Sequence, residues 1–212
     1  MAKPVSQILK AAALGAAFVI AATVAANAQV VASLPSPTES IEHDGRKAKP
    51  VAAWTEFCMR QPGECAVNTS EPAVITMTPK IWKQLVSINR SVNRKIQPLT
   101  DMEHWGVADQ WDLPTDNKGD CEDYQLLKRK LLAEKGLPRR AMRMTVVIDE
   151  QGEGHAVLMV RTTQGDYILD NKTSAILPWA ETSYIYVKQE GSENQQWVSL
   201  GGIGSPVTTA NQ

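Results

Sequence analysis

The chain has 212 residues, 43% of them apolar and 21% charged, a balance that supports a packed core and excludes wholesale disorder. Its 22 basic and 23 acidic residues leave a net charge of −1, so no broad positive field exists to gather nucleic acid. Nucleic-acid partners are therefore not expected.

Lys3 and Lys10 precede an Ala-rich apolar run from Ala11 to Ala25, and Ala26-Asn27-Ala28 follows with the small-x-small pattern that signal peptidase accepts. The run is short and weakly apolar beside the roughly 20 strongly apolar residues that a membrane anchor needs. Residues 1–28 thus read as a secretory signal peptide cleaved after Ala28, and the mature chain is expected in the periplasm or outside the cell, not inserted in a membrane. In an oxidising compartment Cys58 and Cys65, which flank the turn-forming pair Pro62-Gly63, can close a short disulfide loop. Cys121 is then left over, and such a thiol is either buried and inert or reactive.

From residue 29 to 53 the chain offers Pro35, Pro37 and Pro50 with Ser, Thr and charge but no apolar period, and it reads as a flexible leader. Thr78-Pro79 is an N-cap and first-turn pair, after which Ile81, Leu85, Ile88 and Val92 recur at helical spacing until Pro98 approaches. A second helix opens at Asp120-Cys121-Glu122-Asp123, with Asp120 as N-cap and Tyr124, Leu127 and Leu131 on one face, and stops at Gly136 and Pro138. Four β-like runs follow, at 143–148, 155–161, 166–170 and 184–188, separated by Gly-containing turns. Helices first and antiparallel strands after predict one α+β domain over 54–200, with 201–212 as a flexible tail. No fixed-period repeat and no Gly-rich phosphate loop occurs, so solenoid and nucleotide-binding readings have no support.

Cys121 falls in the first turn of the second helix, where unpaired backbone N–H groups and the helix dipole favour thiolate. Asp120, Glu122 and Asp123 act against this if they lie near the sulfur with no counterion, so either they point away or a cation neutralises them. With Asp109, Asp112 and Asp116 upstream, these acids suit a hard cation such as Ca²⁺; a capped helix with a solvated acidic face is the structural alternative. His155 opens a strand on the same face as Val157 and Met159, where a lone histidine is usually structural. A hairpin about Gln164-Gly165, however, brings Asp170 within a few positions of it. Cys121, His155 and Asp170 then supply nucleophile, base and orienting carboxylate, the roles that thiol acyl transfer requires. Zinc has no support, since His43, His104 and His155 are scattered and neither CxxC nor HExxH occurs.

The segment Asp101-Met-Glu-His-Trp105-Gly106, then Asp109-Gln-Trp111 and Pro114, then Gly119-Asp-Cys-Glu-Asp-Tyr124, resembles the bacterial transglutaminase-like cysteine proteinases. Gly154-His155-Ala156-Val157-Leu158 resembles that family's histidine motif, and Gly165-Asp166-Tyr-Ile-Leu-Asp170-Asn171 its aspartate motif, in the same order. The likeness spans about residues 54 to 198. It implies a papain-like transglutaminase core with the thiol at the start of the central helix and His155 and Asp170 on neighbouring strands of an antiparallel sheet. It also implies a role for Asp120, Glu122 and Asp123 in holding calcium. Relatives of this kind are periplasmic calcium-dependent proteases that release large adhesins from the cell surface under a membrane-bound regulator, which makes a protein or peptide substrate, a cell-surface protein among them, the expected partner.

Two function classes follow. One is a cysteine peptidase or amidase working through a thioester, with hydrolysis favoured over transfer to an amine because water is in excess. The other is a catalytically silent module that keeps the same scaffold and recognises peptide or wall glycan through its six Trp residues.

Overall fold

The computed structural model describes Met1, residues 34–43 and residues 45–202. The predicted signal peptide and the tail beyond residue 202 lie outside the described residues. After one two-residue strand come the helices: α1 (Ala52–Arg60), α2 (Pro62–Cys65), α3 (Pro79–Lys95), α4 (Asp101–His104) and α5 (Cys121–Glu134). The short strands β2 (Gln97–Pro98) and β3 (Lys118–Gly119) pair in parallel between them. After α5 come β4 (Met142–Ile148), β5 (Gly154–Thr162), β6 (Gly165–Leu169), β7 (Leu177–Pro178), β8 (Ile185–Glu190) and β9 (Trp197–Ser199). With β1 (Lys47–Ala48) these form one antiparallel sheet in the order β1-β9-β8-β4-β5-β6-β7, so the expected α+β architecture holds.

Period-2 alternation divides the sheet into two apolar faces. Met142, Met144, Val146, Ala156, Leu158, Val160, Tyr167 and Leu169 join the helices in the main core, together with Trp54, Phe57, Leu85, Val92 and Leu132. Val147, Val157, Met159, Ile168 and Tyr186 form a second cluster on the opposite face with Ile41. The predicted leader therefore needs correction in its described part. Lys47–Ala48 is an edge strand on β9, the Ile41 N–H donates to Asp166 Oδ2 at 3.0 Å, and Ile41 and Val51 are buried. A Cβ on Gly165 would lie 2.2 Å from Thr38 Oγ1, so the leader runs tightly over the β5–β6 turn. Its prolines and charges gave no period because an edge segment of this kind is held by tertiary contacts, not by its own pattern.

Thr78 caps α3 as expected, its Oγ1 accepting from the Ile81 N–H at 3.2 Å, and Leu85, Ile88 and Val92 point inward. For α5 the predicted stripe was too narrow. Leu127 and Leu131 are only partly buried, whereas Leu126 and Leu132 are fully covered, and Glu122, Asp123, Gln125, Lys128 and Arg129 are buried as well. A helix enclosed on more than one side does not advertise a single apolar face. A bridge joins Cys58 to Cys65 across a Cα–Cα distance of 5.5 Å, tying α1 to α2, and Cys121 is outside any disulfide. Among the described residues no helix is long and apolar enough to cross a membrane.

Candidate active site

Two turns decide where the chemistry sits. The β4–β5 turn delivers His155 to the start of β5 opposite Val147, and the β5–β6 hairpin returns the chain so that Asp170 follows the last residue of β6. The hairpin register pairs Leu158 with Leu169, which carries Asp170 back toward His155. The two side chains meet: His155 Nε2 lies 2.9 Å from Asp170 Oδ1, and both are almost wholly buried. The Lys172 N–H also donates to Oδ1 at 3.1 Å, and the Tyr184 hydroxyl donates to Oδ2 at 2.5 Å. Burial works to raise the Asp170 carboxyl, but the hydrogen bond and charge of His155, with Tyr184 and the Lys172 N–H, outweigh it and hold the group below its ordinary value. The loop itself is fastened from α3, where Asn93 Nδ2 donates to the carbonyls of Asp170 and Thr173 at 2.8 and 3.0 Å.

On the other side α5 presents Cys121 at its first residue. The sulfur accepts from the Ala156 N–H at 3.4 Å, which sets it against β5 at the position after His155. The Cys121 thiol also faces Glu122 Oε2 at 3.1 Å, so this acid does not point away. Burial pushes the thiol well above its ordinary value, and the negative fields of Glu122 and Asp120 push it further. The helix dipole expected to lower it is therefore outweighed in the chain alone.

Around the thiol the acids converge. Asp120 holds the N-cap position, yet its side chain makes no capping bond, and Asp123 accepts from the Asp112 N–H at 2.8 Å instead of closing a capping box. Gly119 is required here, since a Cβ on it would lie 2.3 Å from Asp123 Oδ2. Asp101, from the start of α4, and Asp109 join them: the sets Asp101-Asp109-Glu122 and Asp101-Asp120-Asp123 each bring carboxylate oxygens within 4.8 Å of one another. Both oxygens of Asp120 and Oδ1 of Asp101 are buried with no donor among the described residues. Burial and neighbouring acids raise Asp120 to about 7 and Glu122 and Asp123 well above the carboxylate range. Carboxylate oxygens that crowd and repel one another, those of Asp120 buried with no donor among the described residues, fit a hard divalent cation. Of the upstream acids, Asp109 joins this set. Asp116 instead pairs with His104 at 3.0 Å and Asp112 with Arg60 at 3.5 Å.

The family model described as bacterial transglutaminase-like cysteine proteinase matches residues 44–204, more than half of the chain. The protein belongs to that family. Among solved structures this proteinase is similar to calcium-bound LapG of Legionella pneumophila, at 26% identity and a TM-score of 0.50 over 60% of this chain and 74% of that one. It also matches LapG of the same organism at 26% identity and 0.49, and the EGTA-treated form at 28% and 0.48. The shares covered are 58% and 71% for the first, 56% and 67% for the second. No curated protein sequence is similar enough to match.

Sequence reasoning missed Asp101 and Tyr184 in this bacterial transglutaminase-like cysteine proteinase. Asp101 is hidden in a capping box, Thr100 with Glu103, that reads as helix punctuation. Tyr184 precedes a strand and carries no motif; only the sheet order β8-β4-β5 brings it to His155.

Proposed function

We propose that the mature chain is an exported cysteine peptidase or amidase in which Cys121, His155 and Asp170 act as nucleophile, proton carrier and orienting carboxylate. The observation that carries this is the buried His155–Asp170 pair at 2.9 Å beside a strand residue, Ala156, that touches the Cys121 sulfur. Asp170 engages Nε2, which leaves Nδ1 for the thiol. The Cys121 proton passes to Nδ1 as the sulfur bonds the scissile carbonyl carbon. The imidazolium then protonates the departing nitrogen as the C–N bond breaks, leaving a thioester. Water adds to the thioester, gives its proton to His155, and releases the carboxylic acid and the restored thiol. The Cys121 backbone N–H, with a second donor in the 105–111 segment, is assigned to the oxyanion.

Asp101, Asp109, Asp120, Glu122 and Asp123 would hold Ca²⁺, as the calcium-bound state of LapG supports. When bound, the ion cancels the negative charge that keeps the thiol protonated. The substrate class is protein, a cell-surface protein among the candidates, under a membrane-bound regulator. The rival is a silent binding module. It is favoured by a Cys121 that is 1% exposed and whose thiol is pushed up.

Iodoacetamide labelling of the mature protein with and without Ca²⁺ separates the two. Preferential alkylation of Cys121 that rises with Ca²⁺ and disappears in Cys121→Ser supports the peptidase. Equal inertness in both conditions supports the module.

A further inference from the structure

Resting on the triad reading above, we infer that Tyr184 is a positioning residue that locks Asp170 and shields the His155 ring. Asp170 has two carboxylate oxygens and three donors: His155 Nε2 at 2.9 Å and the Lys172 N–H at 3.1 Å share Oδ1, while Oδ2 has the Tyr184 hydroxyl at 2.5 Å. A carboxylate held at one oxygen can rotate about Cβ–Cγ, and every such rotation turns the acceptor away from the imidazole. Held at both oxygens, it fixes the ring plane and the tautomer with a proton on Nε2.

The Tyr184 ring adds a second contact, meeting the imidazole edge to face at 5.6 Å between centroids. Tyr184 and Asp170 line a cleft of about 230 Å³ with Thr173, Leu177 and Thr182, whereas His155 is buried and is not among the residues that line it. Tyr184 itself is held from β8, where Tyr186 packs edge-on to Trp179 at 5.6 Å and its hydroxyl meets Thr182 Oγ1 at 2.8 Å.

No other charged group substitutes for the phenol. Lys172 Nζ is committed to Asp149 at 2.5 Å, so only its backbone reaches Asp170. Lys128 of α5 is buried with no acceptor for its Nζ among the described residues, and acts on Asp170 only through its field. Glu150, from the β4–β5 turn, repels rather than holds an anion there.

The test compares wild type with Tyr184→Phe, which keeps the ring and deletes the donor. Two readouts are taken on Ca²⁺-loaded mature protein at pH 7: the rate of Cys121 alkylation by iodoacetamide, and the downfield NMR signal of the His155 Nε2 proton in ¹⁵N-histidine-labelled protein. Alkylation is expected to slow by about tenfold, the factor that one hydrogen bond to a charged group supplies. The Nε2 proton signal should move upfield or broaden while the circular dichroism spectrum is unchanged. An unaltered rate and signal in a folded Tyr184→Phe protein would overturn the assignment. Should that variant not fold, the unaltered protein decides: a slowly exchanging Tyr184 hydroxyl proton with a nuclear Overhauser contact to the His155 ring supports the lock, and its absence overturns it. His155→Ala is run alongside. If it is alkylated as fast as wild type, the triad beneath the proposal fails, independently of Tyr184.

Discussion

The two flanks of the site treat buried carboxylates in opposite ways. Around Asp170 the two buried acids have donors or a counter-charge: His155, Tyr184 and Lys172 N–H on Asp170, and the Lys172 ammonium on Asp149. Around Cys121 five acids crowd together, and both carboxylate oxygens of the buried Asp120 have no hydrogen-bond donor among the described residues. The first flank keeps its acid ionised, the second drives its acids toward protonation. A site that is finished on one side and electrostatically open on the other is one whose activity can depend on a supplied cation, since burying a charge without a partner costs several kcal/mol.

The finished flank gives the largest expected effect. Asp170→Asn retains shape but loses the anionic acceptor, so turnover of any peptide found as a substrate should fall on the order of 10³–10⁴-fold with the melting temperature little changed. A variant that stays active would show that the pairing at 2.9 Å is structural.

The open flank is probed by removing the cation. Chelation should silence Cys121 alkylation and lower the melting temperature, with a stabilisation of about 2.7 kcal/mol restored at a Ca²⁺ concentration 100 times the dissociation constant. Glu122→Gln should blunt that response, because Glu122 groups with Asp101 and Asp109 and also with Asp120 and the Cys121 sulfur. If chelation leaves stability and labelling alike, the contrast between the flanks has no functional meaning.

A pH series sharpens the same contrast. Asp120 is raised to about 7 in the folded chain, with burial as the largest cause. Such an acid binds more protons folded than unfolded between the ordinary carboxylate range and about 7, so its contribution favours the fold most at low pH and is lost as pH rises toward 7. Without Ca²⁺, thermal melts should therefore show stability declining from about pH 4 to about pH 7. With Ca²⁺ the slope should flatten or reverse, because the ion competes with protons for the same oxygens.

Away from both flanks, replacing Cys58 or Cys65 should cost the smallest amount, about 2 kcal/mol for so short a loop, with alkylation of Cys121 unaffected. Chemical denaturation of oxidised and Cys58→Ser protein measures it.

Much of this was legible before any coordinates. The Thr78-Pro79 signal and its apolar spacing marked α3, and the runs at 143–148, 155–161 and 166–170 marked the central strands, because caps and periodicity are local properties. A hairpin about Gln164-Gly165 was enough to bring Asp170 to His155, since the separation of two paired residues follows from the turn. The edge strand at Lys47–Ala48, β9, and the seating of Ile41 under the sheet were not legible. Strands of two or three residues and an extended leader carry no period of their own.

The residue order and types set the candidates: a thiol at a helix start, an imidazole at a strand start and a carboxylate across one hairpin. Only the folded chain decided the electrostatics. Glu122 turns toward the sulfur, Asp101 arrives from another helix to complete the acidic cluster, and Tyr184 comes across β8 and β4 to the far side of Asp170. Charge–charge energies depend on distance and on burial, and both are products of packing between segments far apart in the chain.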